Sequence, residues 1–389
     1  MAVACGDGHT VIVGERGLEV FACGRGGSGQ LGVGTRHDHR APALVAGLAQ
    51  VLGHARIVMV AAGEYHSAAS TSEGGVLTWG CGEFGRLGHG SGEDAIAPVK
   101  LGRELFGNSP VVMVSCGGYH TMAVTGAGRV FTFGEGAHGQ LGHGDRNYRS
   151  FPTAITRLDH SRIVFVAAGY IHSGVVTSEG GVWTWGCGAR ARLGLCNERD
   201  QVVPRELVRQ FSGSKVVMMS SGGAHTMFIT TDGLLWACGY GGYGQLGLGD
   251  CANRSKPVRV GAGSSFELCQ VVTVACGIAH TVAVTDGGKL WSWGRGYRGR
   301  LGHEVECERN RLTPVMVGPE HFGGAQVVSV SCGHNHSAAV TKGGALYTWG
   351  QGAPYPGSEI PAGLGHEELE VRCRVNSVLG NIGVDTNIH

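Results

Sequence analysis

The string Gly-x-x-His, usually followed by Ser or Thr, recurs along the whole chain. Its histidines are His9, His66, His120, His172, His225, His280 and His336, spaced 52 to 57 residues apart. A period of that size means one supersecondary unit repeated, each too small to bury its own apolar face. In each unit one apolar strand leads into the turn ("VVTVACG", 271–277) and a second starts at the histidine ("HTVAVT", 280–285). A third closes on an aromatic and Gly ("KLWSWG", 289–294), and a fourth is usually opened by Pro ("PVRV", 257–260). These runs are short and alternate at period two, which excludes a helical solenoid. Seven such units predict an all-β fold, a seven-bladed β-propeller with four antiparallel strands per blade, as one domain over residues 1–389. "AVAC" (2–5) is expected as the first inner strand, and "EVRCRVNSVLGNIGVD" (370–385) as a last outer strand plus extra residues. The two terminal segments are expected to meet and close the ring.

The stretch "WGCGEFGRLGHG" (79–90) contains Gly80, Gly82 and Gly85 in the spacing of a dinucleotide-binding loop. The same spacing recurs at Gly24/Gly26/Gly29, Gly134/Gly136/Gly139, Gly239/Gly241/Gly244 and Gly294/Gly296/Gly299. A phosphate loop must open a helix. The next residues are instead "SGEDAIAPVKL", a loop and a Pro-led strand. The glycines therefore serve positive φ angles and close backbone approach, and no cofactor is expected. The seven histidines are spread around a ring without Asp, Glu or Cys at fixed spacing, so no metal or catalytic set is expected. Their expected role is hydrogen bonding to neighbouring backbone. Trp79, Phe133, Trp185, Trp293 and Trp349 are expected to pack between blades. Arg86, Arg192 and Arg300 stand where Gln30, Gln140 and Gln245 stand in other units, an exchange that suits a repeated structural hydrogen bond.

Thirty-one basic residues against 30 acidic leave a net charge of +1, so no global field favours nucleic acid or a membrane surface. The 13 cysteines are odd in number, lack a C-x-x-C and sit mostly in apolar strands, which suits buried thiols in a reducing compartment. With no basic leader and no long apolar run, the sequence predicts a soluble protein in the cytoplasm or the nucleus.

Strand alternation places the Gly-x-x-His turns and the Gly-rich loops on one face, the one expected to carry function. The variable residues there cluster on blades two to four: Glu64, Tyr65, Tyr119, Tyr170 and Ile171, with Phe84 in the adjacent loop. They form either a binding patch or a cover for the channel end. A second candidate is the seventh loop, where "APYPGSEIPAG" breaks the pattern and presents Tyr355 and Ile360. A third is a cationic sector with Arg295, Tyr297, Arg298, Arg300, Tyr240 and Tyr243, suited to an acidic partner surface or, more weakly, to nucleic acid.

The unit "VVTVACGIAHTVAVTDGGKLWSWGRGYRGRLGH" resembles the repeat of the regulator of chromosome condensation family, and the match runs through all seven units. That resemblance implies three functions. One is guanine-nucleotide exchange on a Ran-like small GTPase, which in the family uses a wedge near the third blade; here "FGEGAHGQLGHGD" (133–145) is of ordinary length. Another is ultraviolet-B reception, which needs tryptophans inside the Gly-x-x-His turns, and these turns contain none. The third, and the expected one, is a non-enzymatic protein-interaction propeller, alone or inside a larger protein such as a ubiquitin ligase.

Overall fold

A computed structural model describes residues 1–303, 308–350 and 372–377. Each sequence unit folds into its own four-stranded antiparallel sheet, with strands a to d in chain order, and there are seven such sheets. The inner strands a are Ala2–Cys5, Ile57–Ala62, Val111–Cys116, Ile163–Ala168, Val216–Ser221, Val271–Cys276 and Val327–Cys332. They contact one another in a closed cycle and wall a central channel. The strands b, such as His120–Thr125 and His225–Thr230, are buried along their whole length because neighbouring blades cover both faces of every sheet. Among the described residues no helix is long and apolar enough to cross a membrane.

A repeated irregularity lies opposite the aromatics. In blade three, Thr132 pairs with Thr153 and Gly134 with Arg149, so the ladder skips Phe133. The same shift skips Trp185 and Trp293. The extra residues, and so the bend, are on strand d; the aromatics keep their pairing with strand b and enter the seams between blades. Trp79 is fully buried against Val11, Val20 and Leu31 of the preceding blade. Removing one such ring from water contributes about 4 to 6 kcal/mol as an upper bound.

The described parts of both terminal segments belong to blades, and residues 378–385 lie outside the described residues. Arg372–Ser377 pairs with Leu346–Gly350 as the outer strand of blade seven. Ala2–Cys5 is the inner strand of blade one, and the Cys5 amide donates to Ser331 Oγ across the seam at 2.9 Å. Cys5 and Ile12 pack there on Ala338, Val340 and Leu346.

Candidate docking face

The Gly-x-x-His turns and the Gly-rich loops share a face, joined by backbone bonds such as Cys81 N–H to the Tyr65 carbonyl and Glu135 N–H to the Tyr119 carbonyl. Beneath that face lies a ring of side-chain bonds. His66 Nε2 meets Thr121 Oγ1 at 2.8 Å, His120 meets Ser173 at 2.8 Å and His172 meets Thr226 at 2.9 Å. The series continues to His336, which meets Thr10 at 3.1 Å and closes the circle. The partner is thus a hydroxyl of the next blade; the expected bond from histidine to backbone is replaced by this contact. Ser173 gives its one proton to the Gln140 carbonyl and Thr226 to the Arg192 carbonyl, both at 2.8 Å. At these seams the ring nitrogen Nε2 must therefore carry the proton and donate to the hydroxyl oxygen. Trp79, Trp185, Trp293 and Trp349 donate their indole N–H to the same class of loop carbonyl. The glycine three residues before each histidine makes room: a methyl on Gly117 would overlap both the His120 ring and the Gly169 carbonyl. Burial holds the histidines neutral, lowering His9, His120 and His225 to about 3.

Glutamine and arginine solve the same loop in opposite ways. Gln30, Gln140 and Gln245 accept, through Oε1, from the backbone N–H two residues earlier, at 2.8 to 2.9 Å. Arg86, Arg192 and Arg300 instead donate Nε–H to the carbonyl three residues earlier, at 2.8 to 2.9 Å. In the arginine loops the tip residues Phe84, Arg190 and Arg298 take φ near +60° (59, 61 and 66°). The Gly82 amide, which a phosphate would require, already donates to Asp94 at 2.9 Å. Gly26 and Gly188 donate likewise to Asp38 and Asp200. His138, Cys187 and Asp200 offer ligand atoms within 4.8 Å of one another. Asp200, however, is held by the Gly188 amide and, at 3.1 Å, by the Arg146 guanidinium, a cation where a metal would sit.

At the channel mouth the variable turn residues converge. The phenols of Tyr119 and Tyr170 are hydrogen-bonded at 2.8 Å, with their rings edge to face at 5.3 Å. The Glu64 carboxyl lies against Tyr119, Tyr65 and Tyr170; burial raises its pKa and the Asp7 charge adds to this, while the phenols oppose it. Its Oε2 is buried without a hydrogen-bond partner among the described residues. Arg86 is fully buried, its guanidinium 5.2 Å from the Tyr119 ring centre and 5.9 Å from that of Phe84. Blades two to four therefore bring Glu64, Tyr65, Phe84, Tyr119 and Tyr170 together, with Phe84 40% exposed at the rim. Ile171 is half-buried, and its carbonyl accepts from Cys187 N–H. Across the mouth Asp7 pairs with His334 Nδ1 at 2.6 Å and with Arg25 at 3.5 Å. Burial disfavours the Asp7 charge, yet the hydrogen bond from His334 and the nearby Arg25 guanidinium hold its pKa low. Sequence reasoning does not single out this pair. Its one signal is that both residues occupy the same turn position, in the first and last blades.

Tyr297 and Arg298 lie apart from this cluster, on blade six, beside Arg295, with Tyr240 and Tyr243 of blade five and Arg190 of blade four in the same stack. Tyr355 and Ile360 lie outside the described residues.

A ring of blades welded through Gly-x-x-His turns, with its variable side chains gathered on one face, defines a class of repeat propeller. A family model of the RCC1-like domain matches residues 1–269 and, in an overlapping alignment, 158–373, and the chain belongs to that family. It is 36% identical over 354 residues to the ultraviolet-B receptor UVR8 of Arabidopsis thaliana, covering 90% of this chain and 77% of the receptor. It is 35% identical over 335 residues to the human E3 ubiquitin-protein ligase HERC2, covering 84% of this chain but 7% of the ligase. Among solved structures, human WBSCR16 aligns with a TM-score of 0.77 at 26% identity, covering 88% of this chain and 86% of that one. Prp20p of Saccharomyces cerevisiae aligns at 0.75 and 24% identity, covering 92% and 88%, a likeness of fold alone.

Proposed function

We propose that the chain is a non-enzymatic docking propeller that binds protein partners on the face carrying the Gly-x-x-His turns and Gly-rich loops. The observation that carries this is the contrast within those loops. Backbone amides and carbonyls below the face are engaged in the repeated weld, while the tips differ from blade to blade and set half-buried tyrosines and the exposed Phe84 and Tyr297 beside charged residues. Hot spots have that composition. The face residues are Glu64, Tyr65, Phe84, Tyr119, Tyr170, Ile171, Tyr297 and Arg298, with Tyr355 and Ile360 as a further element of the same proposal. Relatives support the use of such a module both as most of a chain and as a small part of a giant ligase. The tyrosines, standing in place of the tryptophans that ultraviolet reception needs, weigh against a photoreceptor role.

A second reading, nucleotide exchange on a Ran-like GTPase, draws on Prp20p, whose structural description names binding to Gsp1p and histones. Against it, the blade-three loop from Gly134 to Arg149 is no longer than the blade-two loop from Gly80 to Ala95. Affinity recovery of partners with Tyr65→Ala/Tyr119→Ala tests the first reading: recovery is expected to fall, and unchanged recovery contradicts it. Nucleotide release from a panel of small GTPases tests the second. No acceleration is expected; an acceleration abolished by Glu64→Ala or Asp7→Ala would replace the docking reading with the exchange reading.

A further inference from the structure

Blades four to six carry a continuous ladder of stacked side chains across the docking face. Arg190 lies over Tyr240 at 4.4 Å, and Tyr240 meets Tyr243 edge to face at 5.9 Å. Arg295 lies over Tyr243 at 4.8 Å and over Tyr297 at 5.2 Å, and Arg298 lies over Tyr297 at 5.1 Å. None of these three arginines forms an ion pair among the described residues, although Arg36, Arg146 and Arg254 elsewhere in the same class of loop do. A guanidinium held by its flat face on a tyrosine keeps its N–H edge free and already oriented for a carboxylate. Two of the three, Arg190 and Arg298, are also held at φ of 61 and 66°, a backbone conformation that a non-glycine residue rarely adopts. Beneath them burial, then the charges of Arg295 and Arg298, lower Arg300 to about 9.

We propose that this ladder binds a short Asp- and Glu-rich segment of a protein partner, its carboxylates taken by Arg190, Arg295 and Arg298. The proposal rests on the docking reading and names the chemistry of the partner. The same face argues against nucleic acid as the occupant. The net charge is only +1, so no extended positive field continues beyond the ladder to hold a long polyanion, while a short acidic segment needs only the three guanidiniums.

The test is fluorescence anisotropy with three labelled probes: a decapeptide alternating Asp and Gly, its Lys counterpart, and a ten-nucleotide oligothymidylate. The acidic peptide is expected to bind, to weaken with added salt, and to lose about tenfold in affinity with Arg190→Ala/Arg298→Ala. Tyr297→Ala, which keeps every charge but frees two guanidiniums, is expected to lose a few-fold, about two to four. Melting temperatures of both variants are expected to match the parent, which separates lost binding from lost folding. Equal affinity in the double variant, or tighter binding of the oligothymidylate than of the peptide, overturns the inference. Absence of acidic-peptide binding while partner recovery still depends on Tyr65 and Tyr119 overturns the ladder's role and leaves the docking reading standing. Loss of both dependences overturns both.

Discussion

Within the loop 80–90, Gly82 and Arg86 lie a few residues from Phe84 and yet obey different rules. Gly82 donates to Asp94, Arg86 donates to the Glu83 carbonyl, and the Arg86 carbonyl accepts from Thr121. Phe84 makes none of these bonds and stands exposed at the rim. The contrast repeats around the ring, with a weld below the face and free tips above it. Welds carry stability because a buried donor that loses its acceptor finds no water to replace it. On the docking reading, tips carry recognition, because few bonds below depend on them.

The largest expected break in the weld comes from acid. Folded histidines titrating near 3 to 4 would titrate near 6.5 once unfolded, so the unfolded chain binds more protons below that value. The histidine contribution to stability is then flat above about pH 6.5 and is lost as pH drops towards the folded values, by about 1.4 kcal/mol per unit for each histidine. Acid unfolding measured by circular dichroism is expected to be cooperative and complete above about pH 4. A transition that begins only below that pH contradicts the neutral weld.

A smaller break is Trp185→Ala, which removes a fully buried ring and its bond to the Gln140 carbonyl and is expected to cost about 3 to 5 kcal/mol in denaturant unfolding. Smaller again is Thr226→Val, which keeps the shape but strands the His172 Nε2–H and deprives the Arg192 carbonyl of a donor. A loss of about 1 to 3 kcal/mol is expected. At the tips the sign reverses. Phe84→Gly relieves a φ of 59° and is expected to leave stability unchanged or raise it by up to about 1 kcal/mol. A clear loss there means the tip is part of the weld.

Much of the weld is legible in spacing. A pattern repeated seven times, with Gly, His and a hydroxyl at fixed positions and an aromatic before the strand-closing Gly in five of the seven, leaves little choice but a ring of similar seams. Spacing does not show the partner of each histidine. That partner is 53 to 58 residues away in six of the seams, in the next blade, and local reading favours local bonds. The exchange of Gln for Arg is legible as structural, but its reversal of donor and acceptor is not, because it depends on a backbone turn at residues 84, 190 and 298. The candidate tyrosines are legible as variable positions. That Tyr119 touches Tyr170 depends on how neighbouring turns lean over the channel, and that Asp7 reaches His334 depends on ring closure, which brings the first and last blades together.

The separation of weld from tips is tested most directly by measuring unfolding free energy and partner recovery on one pair of variants, Thr226→Val and Tyr65→Ala/Tyr119→Ala. Thr226→Val is expected to lose about 1 to 3 kcal/mol and, at temperatures where it is folded, to retain its partners. Tyr65→Ala/Tyr119→Ala is expected to stay within about 1 kcal/mol of the parent and to lose them. Stability lost with the tyrosines and partners lost with the threonine would contradict the account.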